Sequence, residues 1–253
     1  MCTTVIVTRP GEAGQRLADT LKEHGFQPML HPAVHLVKSD APQIARQYLK
    51  KINDYQLVIF VSIAAVEWAF KIADLDQWPD NINVATVGQS TAQLLSSLGA
   101  KNITTPHHNM NASELLKMDA IRQLNSSHKV LLVTAPGGNS TIEDTLQNND
   151  VHVDRIHVYQ RQAIERIEPE LLQLLKTNAN FAVMISSKAL LAAMVHSVPD
   201  IYKPDFTSKR FIVSSSIIAE YARSFGIRDI TIASGPTPQQ LVEAAKAARQ
   251  SVS

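Results

Sequence analysis

The chain has 253 residues, enough for one large core or two smaller ones, and its aliphatic-rich composition without biased tracts marks it as globular throughout. With 24 basic against 23 acidic residues and a formal charge of +1, it lacks the electrostatic footprint of a nucleic-acid or membrane-surface protein. The single cysteine, Cys2, excludes an internal disulfide, and no apolar stretch approaches the roughly 20 residues of a membrane span or forms a signal core, so a soluble cytoplasmic protein is expected.

In chain order, Thr4 to Val7 (TVIV) predicts a buried strand, and Gln15 to His24 carries apolar residues at helical spacing (Leu17, Ala18, Leu21) before Gly25 closes it. Phe26 to Val37 reads as extended, punctuated by Pro28 and Pro32. Further strands are expected at Leu57 to Val61, Asn83 to Val87, Asn102 to Thr105, Lys129 to Val133, Val151 to Tyr159, Phe181 to Ile185, Arg210 to Val213 and Asp229 to Ile232, with helices between them. The strand cores VIV, LVIF, VLLV and FIV are apolar without alternation, as parallel strands covered on both faces should be.

The pattern occurs twice. VTRPG at Val7 returns as VTAPG at Val133, LADTL at Leu17 as IEDTL at Ile142, FVSIAAV at Phe60 as MISSKAL at Met184, and LGAKNI ending at Ile103 as FGIRDI ending at Ile230, a period of roughly 125 residues. Two copies of one α/β unit are implied, hence two similar doubly wound, flavodoxin-like parallel sheets of five strands each, with a cleft between two lobes. The segments Phe26 to Lys38 and Val151 to Ala163 are equivalent second strands that run on through polar residues. They allow either independent halves or an exchange of segments between lobes.

In an open parallel sheet, ligands meet the loops at the carboxyl ends of the strands, where helix N-termini present free backbone N–H groups. Those positions hold Thr8 and Arg9, Ser62, Gly88 with Ser90 and Thr91, Thr134 to Gly138 (including Gly137 and Gly138), Ser186, Ser187 and Lys188, and Ser214, Ser215 and Ser216. Ser and Thr there are also ordinary helix N-caps. A rim of small and hydroxylic residues suits a polyanion held by amides and hydroxyls, and offers no strand-end carboxylate for a receiver domain or a magnesium-dependent phosphoryl transferase. Neither GxGxxG nor GxxxxGK[ST] is present, the adjacent His107 and His108 diverge rather than share a metal, the remaining histidines lack ligand spacing, and Ser187-Lys188 is not an SxxK pair. No cofactor or metal is therefore expected. Tyr159 ends the extended VHVDRIHVY run, where a phenol either gives a proton to a leaving hydroxyl or anchors the segment.

Taken together, VTRP, the strand end at Ser62, VGQSTAQLLSSLG from Val87, PGG at Pro136, HVYQR around Tyr159, SSKAL from Ser186 and FIVSSSIIAEYARSFGI from Phe211 resemble the uroporphyrinogen-III synthase family over essentially the whole chain. The resemblance implies two flavodoxin-like domains joined by a two-stranded linker: 1–36 with 163–253 as a discontinuous domain, 38–160 as an inserted one, and linkers near 34–40 and 157–165. It implies a cofactor-independent, cyclising hydro-lyase that converts hydroxymethylbilane, a linear tetrapyrrole with eight carboxylates, into uroporphyrinogen III with loss of water and inversion of ring D. A hinged monomer is implied, with transient contact to the preceding enzyme of its pathway.

Within the resemblance Tyr159 matches the family tyrosine proposed to assist departure of the hydroxyl, and Arg9 and Lys188 are cations for substrate carboxylates. The loop Thr134 to Asn139 lacks both arginines of the R-G-x-G-G-R pattern frequent in bacterial relatives, which leaves Arg155 and Arg161 as candidate replacements. The competing reading of the same rim is a non-catalytic two-lobed binding protein for a small polyanionic ligand; a two-lobed sugar-nucleotide transferase would be longer and would need an acidic residue to grip a ribose.

Overall fold

The computed structural model describes residues 4–106 and 111–250, the side chain of Gln250 excepted. Its first part runs β1 (Thr4–Val7), α1 (Gly11–Glu23), β2 (Gln27–Leu30), β3 (Val34–Lys38), α2 (Pro42–Lys50), β4 (Leu57–Phe60), α3 (Ile63–Ala73), β5 (Val84–Thr86), α4 (Gln89–Ser97) and β6 (Ile103–Thr104). Two single-turn helices, α5 (Ala112–Leu115) and α6 (Asp119–Arg122), precede β7 (Lys129–Thr134), α7 (Thr141–Asn148), β8 (His152–His157) and β9 (Tyr159–Ala163). The chain ends with α8 (Pro169–Lys176), β10 (Phe181–Ile185), α9 (Lys188–Ser197), α10 (Lys203–Thr207), β11 (Arg210–Val213), α11 (Ser216–Ser224), β12 (Ile230–Ile232) and α12 (Pro238–Gln250). No described helix is long and apolar enough to cross a membrane.

The contacts divide the chain into two compact units, one of the residues up to His35 together with those from Gln162 on, the other Leu36–Arg161. The first holds an all-parallel sheet in the order β2-β1-β10-β11-β12. Residues alternate across it: Val5 and Val7 join Leu17, Leu21 and Val242 on one face, while Ile6 joins Leu171, Leu191 and Met194 on the other. Both faces are thus buried under helices, which is why strands such as FAVMI carry no polar positions.

The second unit's parallel sheet runs β8-β7-β4-β5-β6. Val58, Phe60, Leu131 and Val133 face α3 on one side; Leu57, Ile59, Val130 and Leu132 face α7 on the other. Matched by the sequence repeat, β7 corresponds to β1, β8 to β2, and β4, β5 and β6 to β10, β11 and β12. Both sheets then have one spatial order, equivalent to 2-1-3-4-5, reached by different chain routes.

A two-stranded antiparallel sheet, β3 with β9, joins the units, each strand starting in one and ending in the other. The long extended segments are broken where they change sheet. His31 N–H and Ala33 N–H still donate to Val7 O and Thr8 O, each at 3.0 Å, and Val158 N–H to Thr134 O at 3.1 Å, after which each chain leaves its parallel sheet. Val158, between β8 and β9, and Tyr159, at the start of β9, are both buried where the chain changes sheet. Helix α1 also starts earlier than the apolar spacing predicts, at Gly11 rather than Gln15, because its first turn packs through Gly14 against backbone rather than through apolar side chains.

Candidate active site

Each sheet has a switch point, between β1 and β10 in the first unit and between β7 and β4 in the second, where successive helices go to opposite faces and open a crevice at the strand ends. At the first, Thr8 Oγ1 donates to Met184 O at 2.7 Å and ties the two strand ends together. Arg9 follows and bridges three loops: its Nε donates to Ser186 Oγ at 2.8 Å and its Nη2 to Pro236 O at 2.6 Å. Gly14 lets α1 press on the Arg9 backbone; a Cβ there would collide with the Arg9 carbonyl oxygen.

The Arg9 guanidinium is partly buried and faces no carboxylate among the described residues. Burial lowers its pKa from the usual arginine value, although a guanidinium remains charged at neutral pH. A desolvated cation held by neutral acceptors is set up to receive an anion. Around it, Ser214 Oγ donates to Ser186 O at 3.3 Å, and Ser187 and Ser215 cap α9 and α11, accepting from Leu190 N–H at 3.2 Å and Ile218 N–H at 3.4 Å. Lys188 is exposed in the first turn of α9, its Nζ lying 5.6 Å from the centre of the Tyr221 ring.

At the second switch point Ser62 caps α3, accepting from Ala65 N–H at 3.2 Å. Its Oγ also lies 3.3 Å from the Tyr159 hydroxyl. The Tyr159 ring is only 3% exposed among Val158, Ile156 and Leu36, with the Arg161 guanidinium 5.7 Å from the ring centre. Across the switch point, the loop after β7 exposes Gly137 (φ 71°) and Gly138. Arg155, on β8, lies beneath this loop: Nη1 donates to Glu143 Oε2 at 2.6 Å and Nη2 reaches Gly138 O at 3.4 Å. Its charge is already balanced by Glu143, so Arg155 braces the loop rather than replacing a free arginine. Gly88 occupies the N-cap position of α4, with Ser90 part-buried and Thr91 buried in its first turn.

The sequence-derived candidates therefore fall in two groups. Arg9, Ser186, Ser187, Lys188, Ser214 and Ser215 line the strand ends of the first unit; Ser62, Gly88, Ser90, Thr91, Gly137, Gly138 and Tyr159 line those of the second. His107 and His108 lie outside the described residues. What sequence alone did not offer was the Pro236 carbonyl that holds Arg9 and the Glu143–Arg155 pair; neither has a motif, and Arg9 and Pro236 are 227 positions apart.

Comparison with known proteins adds a consistent set of likenesses. The family model described as HEM4, uroporphyrinogen-III synthase HemD, matches residues 15–243. The uroporphyrinogen-III synthase of Escherichia coli K12 is 26% identical over 247 residues, covering 95% of this chain and 99% of that one. That of Proteus mirabilis is 28% identical over 169 residues, covering 66% of this chain and 84% of its own. The crystal structure of uroporphyrinogen-III synthetase from Helicobacter pylori superposes with a TM-score of 0.57 at 14% identity over 98% of this chain and 99% of that one, a likeness of fold.

Proposed function

The chain belongs to the uroporphyrinogen-III synthase family and is a hydro-lyase of tetrapyrrole biosynthesis, and from that premise we propose that it closes hydroxymethylbilane to uroporphyrinogen III with loss of one water and inversion of ring D. The observation that carries this reading is Arg9, a partly buried cation fixed by Ser186 and Pro236 with no carboxylate of its own among the described residues. A substrate bearing eight carboxylates supplies the missing counter-charge. The remaining carboxylates are taken by Lys188 and by hydroxyls and backbone N–H groups at Gly88, Ser90, Thr91, Gly137, Gly138, Ser214 and Ser215, a mode of binding that needs little net charge.

The terminal hydroxyl must be protonated to leave as water, and Tyr159 is the proposed source of that proton. Departure leaves an azafulvenium-like cation, which the substituted carbon of ring D attacks to give a spiro intermediate. Fragmentation and reclosure then invert the ring, and the proton shed by the reclosed ring balances the one given to the departing hydroxyl. Unaided substrate closes without inversion, so the rim contributes by holding the reacting ends in one geometry. One chain supplies every residue named, and the proposed working form is a monomer.

The test is to supply freshly generated hydroxymethylbilane and separate the oxidised uroporphyrin isomers. Predominantly type III product is expected; type I alone, at the spontaneous rate, would overturn the proposal.

A further inference from the structure

The Tyr159 side chain is enclosed on nearly every side, and the polar group its hydroxyl meets is Ser62 Oγ. Ser62, by contrast, is partly exposed at the rim. Building on the function proposed above, we infer that Ser62 is the group that hands the proton to the departing hydroxyl, with Tyr159 behind it as the second member of a two-step relay.

The hydrogen-bonding capacity of a serine allows the relay. Its oxygen accepts twice and donates once. One lone pair takes the Ala65 N–H; when the other accepts from the Tyr159 hydroxyl, 3.3 Å away, the Ser62 hydrogen is left to point at substrate. At 3.3 Å the Ser62–Tyr159 contact is longer than an ordinary O–H···O bond, as catalytic contacts often are before substrate tightens them. When Ser62 gives its proton to the leaving oxygen, the C–O bond breaks, water departs with the electron pair, and the Tyr159 O–H bond breaks as the Ser62 O–H bond re-forms. The negative charge comes to rest on the phenol oxygen. It lies near the N-terminal end of the 11-residue helix α3, and the Arg161 guanidinium stands 5.7 Å from the centre of its ring. The proton released on ring closure restores the phenol. Ser187 and Ser215 cap their helices in the same way, but neither has a phenol behind its oxygen, so the relay belongs to Ser62 alone among these three caps.

The experiment compares Ser62→Gly, Ser62→Thr, Tyr159→Phe and the Ser62→Gly/Tyr159→Phe double variant in the isomer-resolved assay. Glycine costs only a few tenths of a kcal/mol as an N-cap, so Ser62→Gly removes the hydroxyl and spares the helix. Both single variants are expected to lose about 10²-fold in kcat with KM within about two-fold, the double variant to be no worse than the worse single, and Ser62→Thr to retain activity. Turnover in mixed H2O and D2O should curve as two protons moving together require, and become linear in Tyr159→Phe. If Tyr159→Phe is impaired while Ser62→Gly is not, or if the two losses multiply, the relay is wrong and the phenol acts on substrate directly. If Tyr159→Phe turns over normally to type III product, it is the reading of Tyr159 itself that fails.

Discussion

Arg9 concentrates the electrostatics of the first unit in one side chain. Lysine keeps its charge but loses the planar fork that reaches Ser186 and Pro236 at once. Arg9→Lys is expected to raise KM about ten-fold, the equivalent of roughly 1.4 kcal/mol, with a smaller change in kcat, and steady-state kinetics decide it. His31 makes a second prediction. It is 1% exposed at the end of β2, and its Nε2 has no hydrogen-bond partner. Burial lowers its pKa below the ordinary 6.5; Glu168 and Glu170 oppose the shift and His35 adds to it. The unfolded chain therefore binds a proton at a pH where the folded protein does not, and stability rises with pH. This contribution is complete above about pH 6.5 and is lost as pH falls below it. His31→Gln should flatten the fall in urea midpoint between about pH 7 and about pH 5, and a slope equal to wild type would assign the acid sensitivity elsewhere.

At the scale of elements, the glycine loop of the second unit depends on β8 and α7 through the Arg155–Glu143 pair, whose side chains are 19% and 20% exposed. Water still reaches such a pair, so its value lies between those of surface and buried ion pairs. Glu143→Gln is expected to cost about 2 kcal/mol and to speed amide exchange at Gly137 and Gly138; an unchanged exchange rate would remove Arg155 as the loop's brace. The close approach of α1 to Arg9 gives a parallel expectation. Gly14→Ala pushes on backbone with no flexible side chain to yield, and should cost roughly 2 kcal/mol while raising KM through displaced Arg9.

The same scale explains what sequence could and could not convey. The runs VIV, LVIF, VLLV and FIV announce β1, β4, β7 and β11 because burial on both faces leaves no room for polar alternation. The second strands of each repeat read as single extended segments because β2 with β3, and β8 with β9, share extended backbone and differ only in their hydrogen-bond partners, which periodicity does not record. Strand-end serines were visible as a class. Their individual bonds were not, since Ser62 with Tyr159 and Arg9 with Ser186 are pairings across 97 and 177 positions. Family resemblance drew attention to Tyr159, but only geometry reveals how little of it is exposed.

For the whole molecule, repeat and unit do not coincide. The first sheet takes β1 and β2 from one repeat and β10 to β12 from the other; the second takes β4 to β6 from the first repeat and β7 with β8 from the second. Cutting the chain near residue 126, at the sequence repeat, therefore splits both sheets, whereas 36–161 contains a complete one. Expressed alone, 1–126 and 127–253 are each expected to remain unfolded, and 36–161 to unfold cooperatively with both faces of its sheet covered, as read by circular dichroism and amide exchange. Cooperative folding of 1–126 by itself would contradict this interleaving.

In chain connectivity the two units are host and guest, the second running from β3 to β9. The guest's two ends leave the host as neighbouring strands, about 4.8 Å apart, a gap that a tight turn can close. Nothing in the host's sheet order records how long the excursion between them is. The second unit is thus, in connectivity, an enlarged hairpin loop of the first, and none of its strands belongs to the sheet that carries Arg9.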